Sequence, residues 1–200
     1  DTHIFQEAVQ KYANIYIPQG WYVVKEPLTL KQNTNLIGLH PGTTILLTLG
    51  GNLAFSGFGA PQAQLTTPQG GKNIVCGIFL NADAYNYRAV NCKWMAGEGS
   101  YMYDVKFSGH DKARFFHNGQ SAVNPLEKPM SITPETHDLI TRAWDNQHWS
   151  LWITNGGGGS FRDIWTANEY SSAGLYISHT DTPGRIYGMS LEHHLRNEAI

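Results

Sequence analysis

Asp1-Thr2-His3-Ile4-Phe5-Gln6-Glu7-Ala8-Val9-Gln10-Lys11-Tyr12-Ala13-Asn14-Ile15-Tyr16-Ile17-Pro18-Gln19-Gly20-Trp21-Tyr22 holds one helix and two strands in quick succession. Phe5, Ala8, Val9 and Tyr12 fall at i, i+3, i+4 and i+7, so the stretch over residues 2–13 carries one apolar stripe and predicts a helix, with Asp1 or Thr2 as its cap. After Asn14 the period changes. Ile15-Tyr16-Ile17 reads as a short strand, Pro18-Gln19-Gly20 as a turn, and Trp21-Tyr22-Val23-Val24 as a second strand.

The same rhythm continues outward. Leu28-Thr29-Leu30, Asn35-Leu36-Ile37-Gly38 and Thr44-Ile45-Leu46-Leu47 are further short strands with irregular turns between them and no second helical pattern, which excludes a βαβ layout. Strands this short bury both faces when each coil of chain stacks on the last and the inward side chains build one continuous core. A weak repeat of Asn or Asp, apolar, any, then apolar or small points the same way. It recurs at Asn35, Asn73, Asn91 and Asp104, with a looser copy at Asp163, and places the polar residue at the bend before a strand. An antiparallel β-sandwich is the alternative source of short strands.

Composition narrows the function classes. Hydrophobic residues make up 41% of the 200 residues, enough for a core, while charged residues are 15%, below the usual ~25%, with Gly, Asn and Thr in their place. The net charge of -2, without any basic run, argues against nucleic acid. No stretch approaches a membrane span. Cys76 and Cys92 are too few and wrongly spaced for a disulfide scaffold or a zinc cluster, and Cys92 reads as a buried free thiol. The two segments that break the rhythm, about 50–71 and 111–141, are read as long loops walling a groove, within one domain spanning 1–200.

The opening Asp1-Thr2-His3-Ile4-Phe5-Gln6-Glu7-Ala8 and Ile15-Tyr16-Ile17-Pro18-Gln19-Gly20-Trp21-Tyr22 resemble the start of the pectate-lyase-like β-helix superfamily. The resemblance implies an all-β, single-stranded, right-handed parallel β-helix with an N-terminal capping helix. It specifies fold and not chemistry, because glycosidases, lyases and phage tailspikes share this opening. Further on, Gly174-Leu175-Tyr176-Ile177, Gly184-Arg185-Ile186-Tyr187 and Ser190-Leu191-Glu192-His193-His194-Leu195-Arg196-Asn197 are similar in order to a segment of family 55 glycoside hydrolases, the β-1,3-glucanases built from two β-helices. This sequence has Glu192 and His194 where that pattern places amides. In that family the general acid comes from the second β-helix, so the resemblance implies a partner in the remainder of the same polypeptide. The stop at Ile200 straight after the motif, without a cap, is read as an incomplete solenoid.

Glycoside hydrolysis needs two carboxyl groups flanking the scissile bond. Glu192 is the first candidate, among His193, His194 and Arg196. Strand alternation sends Ser190, Glu192 and His194 outward and Leu191, His193 and Leu195 to the other side. Asp163, beside Arg162 and Trp165, is the second catalytic candidate, with bend formation as its competing role; Glu198 stays open. Arg196, Asn197, Trp152, Trp165 and Tyr187 are substrate-binding candidates, with Trp149 and Tyr170 as further rings for sugar stacking. The run Gly156-Gly157-Gly158-Gly159 lacks the Lys-Ser/Thr of a phosphate loop and reads as a tight turn or a close backbone approach. Adjacent His193 and His194 face opposite ways on a strand, so no metal and no cofactor is expected. The expectation is a secreted, periplasmic or cell-surface glycoside hydrolase acting on a β-glucan or related glycan. The alternatives are a polysaccharide lyase using Arg196 or His194, or a non-catalytic carbohydrate-binding or tailspike module.

Overall fold

A computed structural model describes residues 1–83, 86–109, 116–117, 120–121, 147–167, 171–192, 194 and 196–200. Helix α1 (Thr2–Lys11) buries Phe5 and Val9, with Ala8 packed against the core and Tyr12 left exposed at the C-cap. Asp1 is the N-cap through its backbone carbonyl, while the side chains of Asp1 and Thr2 bond the first coil and not the helix's own amides. Asp1 Oδ2 accepts the Val23 amide at 2.8 Å and Thr2 Oγ1 accepts the Lys25 amide at 2.7 Å, which ties α1 to the first coil.

The strands that follow are β1 (Asn14–Ile17), β2 (Gly20–Val23), β3 (Leu28–Thr29), β4 (Asn35–Gly38), β5 (Thr44–Leu47), β6 (Gln62–Thr66), β7 (Ile74–Asn81), β8 (Ala89–Trp94) and β9 (Tyr101–Ser108). After them come β10 (Phe116–His117), β11 (Gln120–Ser121), β12 (Gln147–Ile153), β13 (Gly159–Ala167), β14 (Ser171–Ile177), β15 (Gly184–Glu192) and β16 (Asn197–Ala199). One sheet runs β1-β4-β7-β9-β13-β15, with β2 and β5 added beside β7; the other runs β3-β6-β8-β12-β14-β16. Each pairing in these two sheets is parallel, and the small β10-β11 pair is antiparallel. The chain therefore alternates between the sheets and returns one strand further along each time. That is the pairing of a β-helix-like solenoid, and not of an antiparallel sandwich.

The core is a set of in-register stacks. In the first sheet Leu36, Val75, Met102 and Phe161 lie on successive strands and are buried; in the second, Leu65, Cys92, Leu151 and Leu175 do the same. Strands about 4.8 Å apart put each inward side chain in van der Waals contact with the next one along.

A column of left-handed residues folds the first sheet along its length. Gly77 (φ +65), Asp104 (φ +50), Asp163 (φ +53) and Gly188 (φ +84) stack mid-strand, because the residues flanking each are register partners. The earlier coils make the same corner with a chain break, between β1 and β2 and between β4 and β5, and β7 bridges both halves. Gly77 has no alternative here, since a Cβ would lie 2.4 Å from the Gly38 carbonyl oxygen. Asp tolerates the left-handed region better than most residues with a Cβ. The sheet thus has a leading half before the bend and a trailing half after it.

Two expectations change. The segment 50–71 is not one loop, because β6 runs through it. Its sequence hides the strand: Gln64 points to the interior, where its amide donates to the carbonyls of Leu46 (2.9 Å) and Asn81 (3.2 Å). Asn91 repeats the device one coil later, donating to Leu80 (3.1 Å) and Ser108 (2.9 Å). These amides satisfy carbonyls at the ends of first-sheet strands. The polar repeat also does not mark one structural position. Asn35 opens β4, Asn73 precedes β7 and bonds the Lys31 and Thr34 carbonyls, Asn91 is internal, and Asp104 and Asp163 form the bend. Of the segment 111–141, only β10 and β11 fall within the described residues.

Candidate functional site

The face that gathers the candidates is the outer surface of the trailing half. Alternation past the bend sends Val105 and Phe107, Ile164 and Thr166, Met189 and Leu191 inward, and Lys106, Trp165, Ser190 and Glu192 outward. Parallel register sets Lys106 beside Trp165 and Trp165 beside Ser190. The Trp165 ring, 39% exposed, is covered on one side by the Lys106 ammonium, 3.9 Å from the centroid; that ammonium also lies 4.9 Å from the Phe79 ring centroid. A cation held between two ring faces is fixed electrostatically and stiffens the platform.

Glu192 sits at the edge of this platform. Its Oε1 accepts the Trp165 indole N–H at 3.1 Å and the Ser190 hydroxyl, so two donors converge on one oxygen. This orients the carboxylate as an acceptor beside a half-exposed aromatic ring.

His194 lies elsewhere than expected. Strand β15 ends at Glu192, so the alternation does not extend to His194, whose side chain is shut off from solvent. Its Nε2 lies 2.9 Å from Thr166 Oγ1, its Nδ1 pairs with Glu198 Oε2, and the ring rests over Gly174. A Cβ on Gly174 would stand 2.5 Å from His194 Cε1, so the missing side chain makes the seat. Glu198, left open in sequence, is here the carboxylate that fixes this imidazole. His193, Leu195 and Tyr170 lie outside the described residues.

The remaining candidates spread over other faces. Asp163 stands on the bend, its carboxylate 3.3 Å from Arg162 Nε and its backbone left-handed, which is the bend-forming role. Tyr187 is on the outer surface of the leading half, in register with Arg162. Arg196 and Asn197 are exposed at the entry to β16, where the Arg196 amide donates to the Ser172 carbonyl. Trp152 belongs to the second sheet. There it joins a cluster with Trp149 (4.9 Å between centroids) and Tyr176 (6.2 Å, stacked), with Lys93 Nζ 4.6 Å from its ring and its N–H donated to Ser178 Oγ. The glycine run is a close approach between stacked turns: a Cβ on Gly157 would meet the Trp94 carbonyl oxygen at 2.3 Å.

Both cysteines are unbonded. Burial pushes the Cys92 thiol well above its ordinary range, and burial followed by the nearby Asp104 charge raises Cys76. Among the described residues no group of three or more His, Cys, Asp or Glu is placed to hold a metal ion, and no helix is long and apolar enough to cross a membrane.

Sequence reasoning missed Lys106, Thr166 and the Lys93–Tyr176 contribution to the Trp152 cluster. None carries a local motif; register alone brings them in. No protein-family model matches the chain, and no curated protein is significantly similar to it.

Proposed function

We propose that the chain is part of a right-handed parallel β-helix of the pectate-lyase-like kind, and that it acts on a polysaccharide as a glycoside hydrolase with Glu192 in the cleft. Right-handed winding is the hand that parallel crossover connections take in nearly every case. The observation that carries the functional reading is the Trp165–Glu192 pair. A ring face offers the apolar side of a pyranose a place to lie, and the carboxylate fixed at its edge is within reach of the sugar's hydroxyls or glycosidic oxygen. The low charge and aromatic richness of the chain fit a neutral glycan such as a β-glucan. The second carboxylate of the mechanism is assigned to the remainder of the polypeptide, and the enzyme to the outside of the cell, where such polymers are found.

Glu192 is given the acceptor's part, as base or nucleophile, because the Trp165 indole N–H and the Ser190 hydroxyl both donate to its Oε1. A lyase would need an accessible base; the closed-off His194 does not supply one, which leaves the exposed Arg196 as the lyase candidate. A non-catalytic binding module is favoured by a different observation, the Trp149–Trp152–Tyr176 cluster on the second sheet, which needs no carboxylate.

The test is release of reducing sugar from a panel of polysaccharides, β-1,3-glucan first, by the full-length protein and by Glu192→Gln. Hydrolysis lost in the variant with binding kept supports the reading. Full activity in Glu192→Gln removes Glu192 from the mechanism, unsaturated products absorbing in the near ultraviolet establish a lyase, and binding without turnover establishes the module.

A further inference from the structure

The leading half of the first sheet carries an outward stripe that the Glu192 face does not use. Tyr16, Ile37, Cys76, Tyr103, Arg162 and Tyr187 are register partners strand by strand, from β1 through β4, β7, β9 and β13 to β15. Each sits between inward neighbours or the bend, so the row faces solvent. Tyr16 is 59% exposed, Tyr103 39% and Tyr187 56%. Tyr101 stacks on Tyr103 at 6.0 Å between centroids, and the Arg162 guanidinium lies 5.7 Å from the Tyr103 ring centroid. The neighbouring row adds amides and a hydroxyl: Asn14 and Asn35 are bonded to each other, and Ser160 lies beyond Tyr101.

This is a straight strip parallel to the coil axis, five strand spacings of about 4.8 Å and hence about 24 Å long. Its chemistry is mixed on every strand but β7, which contributes Cys76 and Ile74. Phenol rings on β1, β9 and β15 present apolar faces with hydroxyls at their tips, while Asn14, Asn35 and the Arg162 guanidinium supply donors beside them. A protein interface of stable size has a core depleted of polar groups, and here polar side chains stand on five of the six strands. A linear polymer whose every unit has an apolar face and hydroxyls around its rim matches that alternation, and one rung is about the length of one sugar ring.

We infer that the outer surface of the leading half is an extended glycan-binding track, separate from the Glu192 face, which holds a neutral polysaccharide chain along the coil axis. The inference rests on the carbohydrate reading above and extends it to a second, non-catalytic site. Because the track is long, it favours polymers over short oligosaccharides.

The experiment measures binding of β-glucan oligosaccharides of increasing length, and of the polymer, to the full-length protein, to Tyr16→Ala/Tyr187→Ala and to Glu192→Gln. Tyr16 and Tyr187 are more than half exposed at the two ends of the strip, and Tyr16→Phe/Tyr187→Phe, which keeps the same two rings, is the matched control. Affinity of the unaltered protein should climb with chain length up to the span of the strip. The alanine pair should lose that climb, with polymer binding weaker by about tenfold, the equivalent of two modest aromatic contacts. The phenylalanine pair should keep most of it, and Glu192→Gln should retain the length dependence. Unchanged polymer binding by the alanine pair overturns the track while leaving the Glu192 reading standing. No binding of any glycan by the unaltered protein overturns both.

Discussion

Replacing Gly174 by alanine tests the seat of His194. The added Cβ would stand 2.5 Å from His194 Cε1, 2.8 Å from Nε2 and 2.7 Å from Thr166 Oγ1, so it cannot coexist with the observed ring position. Overpacking of this kind costs about 1–3 kcal/mol. If the imidazole withdraws instead, the Thr166 and Glu198 hydrogen bonds go with it, at about 1 kcal/mol each, less for Glu198 because its carboxylate is 54% exposed. Either route destabilises the protein by about 1–3 kcal/mol. The assay is urea unfolding of the wild type, Gly174→Ala, His194→Ala and the double variant. With the ring removed only the Thr166 hydroxyl still crowds the new methyl, and that hydroxyl, freed from His194, can rotate away, so Gly174→Ala should cost less in the His194→Ala background, a coupling of about 1–3 kcal/mol. A Gly174→Ala protein within about 0.5 kcal/mol of wild type, or two additive single effects, would refute the packing argument.

Asp163→Gly should be close to neutral in stability and Asp163→Val destabilising by about 1–2 kcal/mol, because a β-branched residue is forced into the left-handed region; thermal denaturation checks this, and loss of hydrolysis in a stable Asp163→Gly would reinstate Asp163 as a catalytic group. Trp165→Phe keeps a ring over Lys106 and removes the N–H from Glu192, so glycan binding should survive while turnover falls; equal loss of both would deny the indole N–H an orienting role. Thiol labelling should modify Cys76 alone in the native protein, with Cys92 reacting only on unfolding. Because burial and the Asp104 charge raise the Cys76 thiol above its ordinary range, labelling should be slow near neutral pH and accelerate as pH rises, and Asp104→Asn should lower that thiol and speed the reaction. Labelling unaffected by Asp104→Asn would break the electrostatic link.

The early coils were legible because their physics is local. The 3.6-residue stripe of α1, the alternating strands β1 and β4 and the short apolar runs of β2 and β5 each carry their own signal, and Asn35–Gly38 and Thr44–Leu47 match strand for strand. Strand β6 was hidden because a buried glutamine looks polar until its carbonyl partners on the other sheet are known. The asparagine and aspartate repeat misled for a similar reason. Asn35, Asn73, Asn91 and Asp104 satisfy backbone needs of different kinds, which one-dimensional spacing does not distinguish. At the site, Glu192 and its outward orientation followed from alternation, but its contact with Trp165 spans 27 residues and depends on the register of β13 with β15. His194 was misplaced because alternation was carried past the end of the strand, and nothing local signalled that Gly174 opens a seat for the ring.

Both proposed faces depend on parallel, in-register stacking, and one distance measures it. Spin labels placed at Tyr16→Cys and Tyr187→Cys, in a Cys76→Ser background with Cys92 buried and unreactive, report the separation of the first and last strands of the leading half by electron–electron resonance. Five stacked spacings predict a narrow distribution with the backbones about 24 Å apart. A separation well outside the reach of the labels from that value, or a distribution with no peak there, would contradict the coil and dissolve both faces with it.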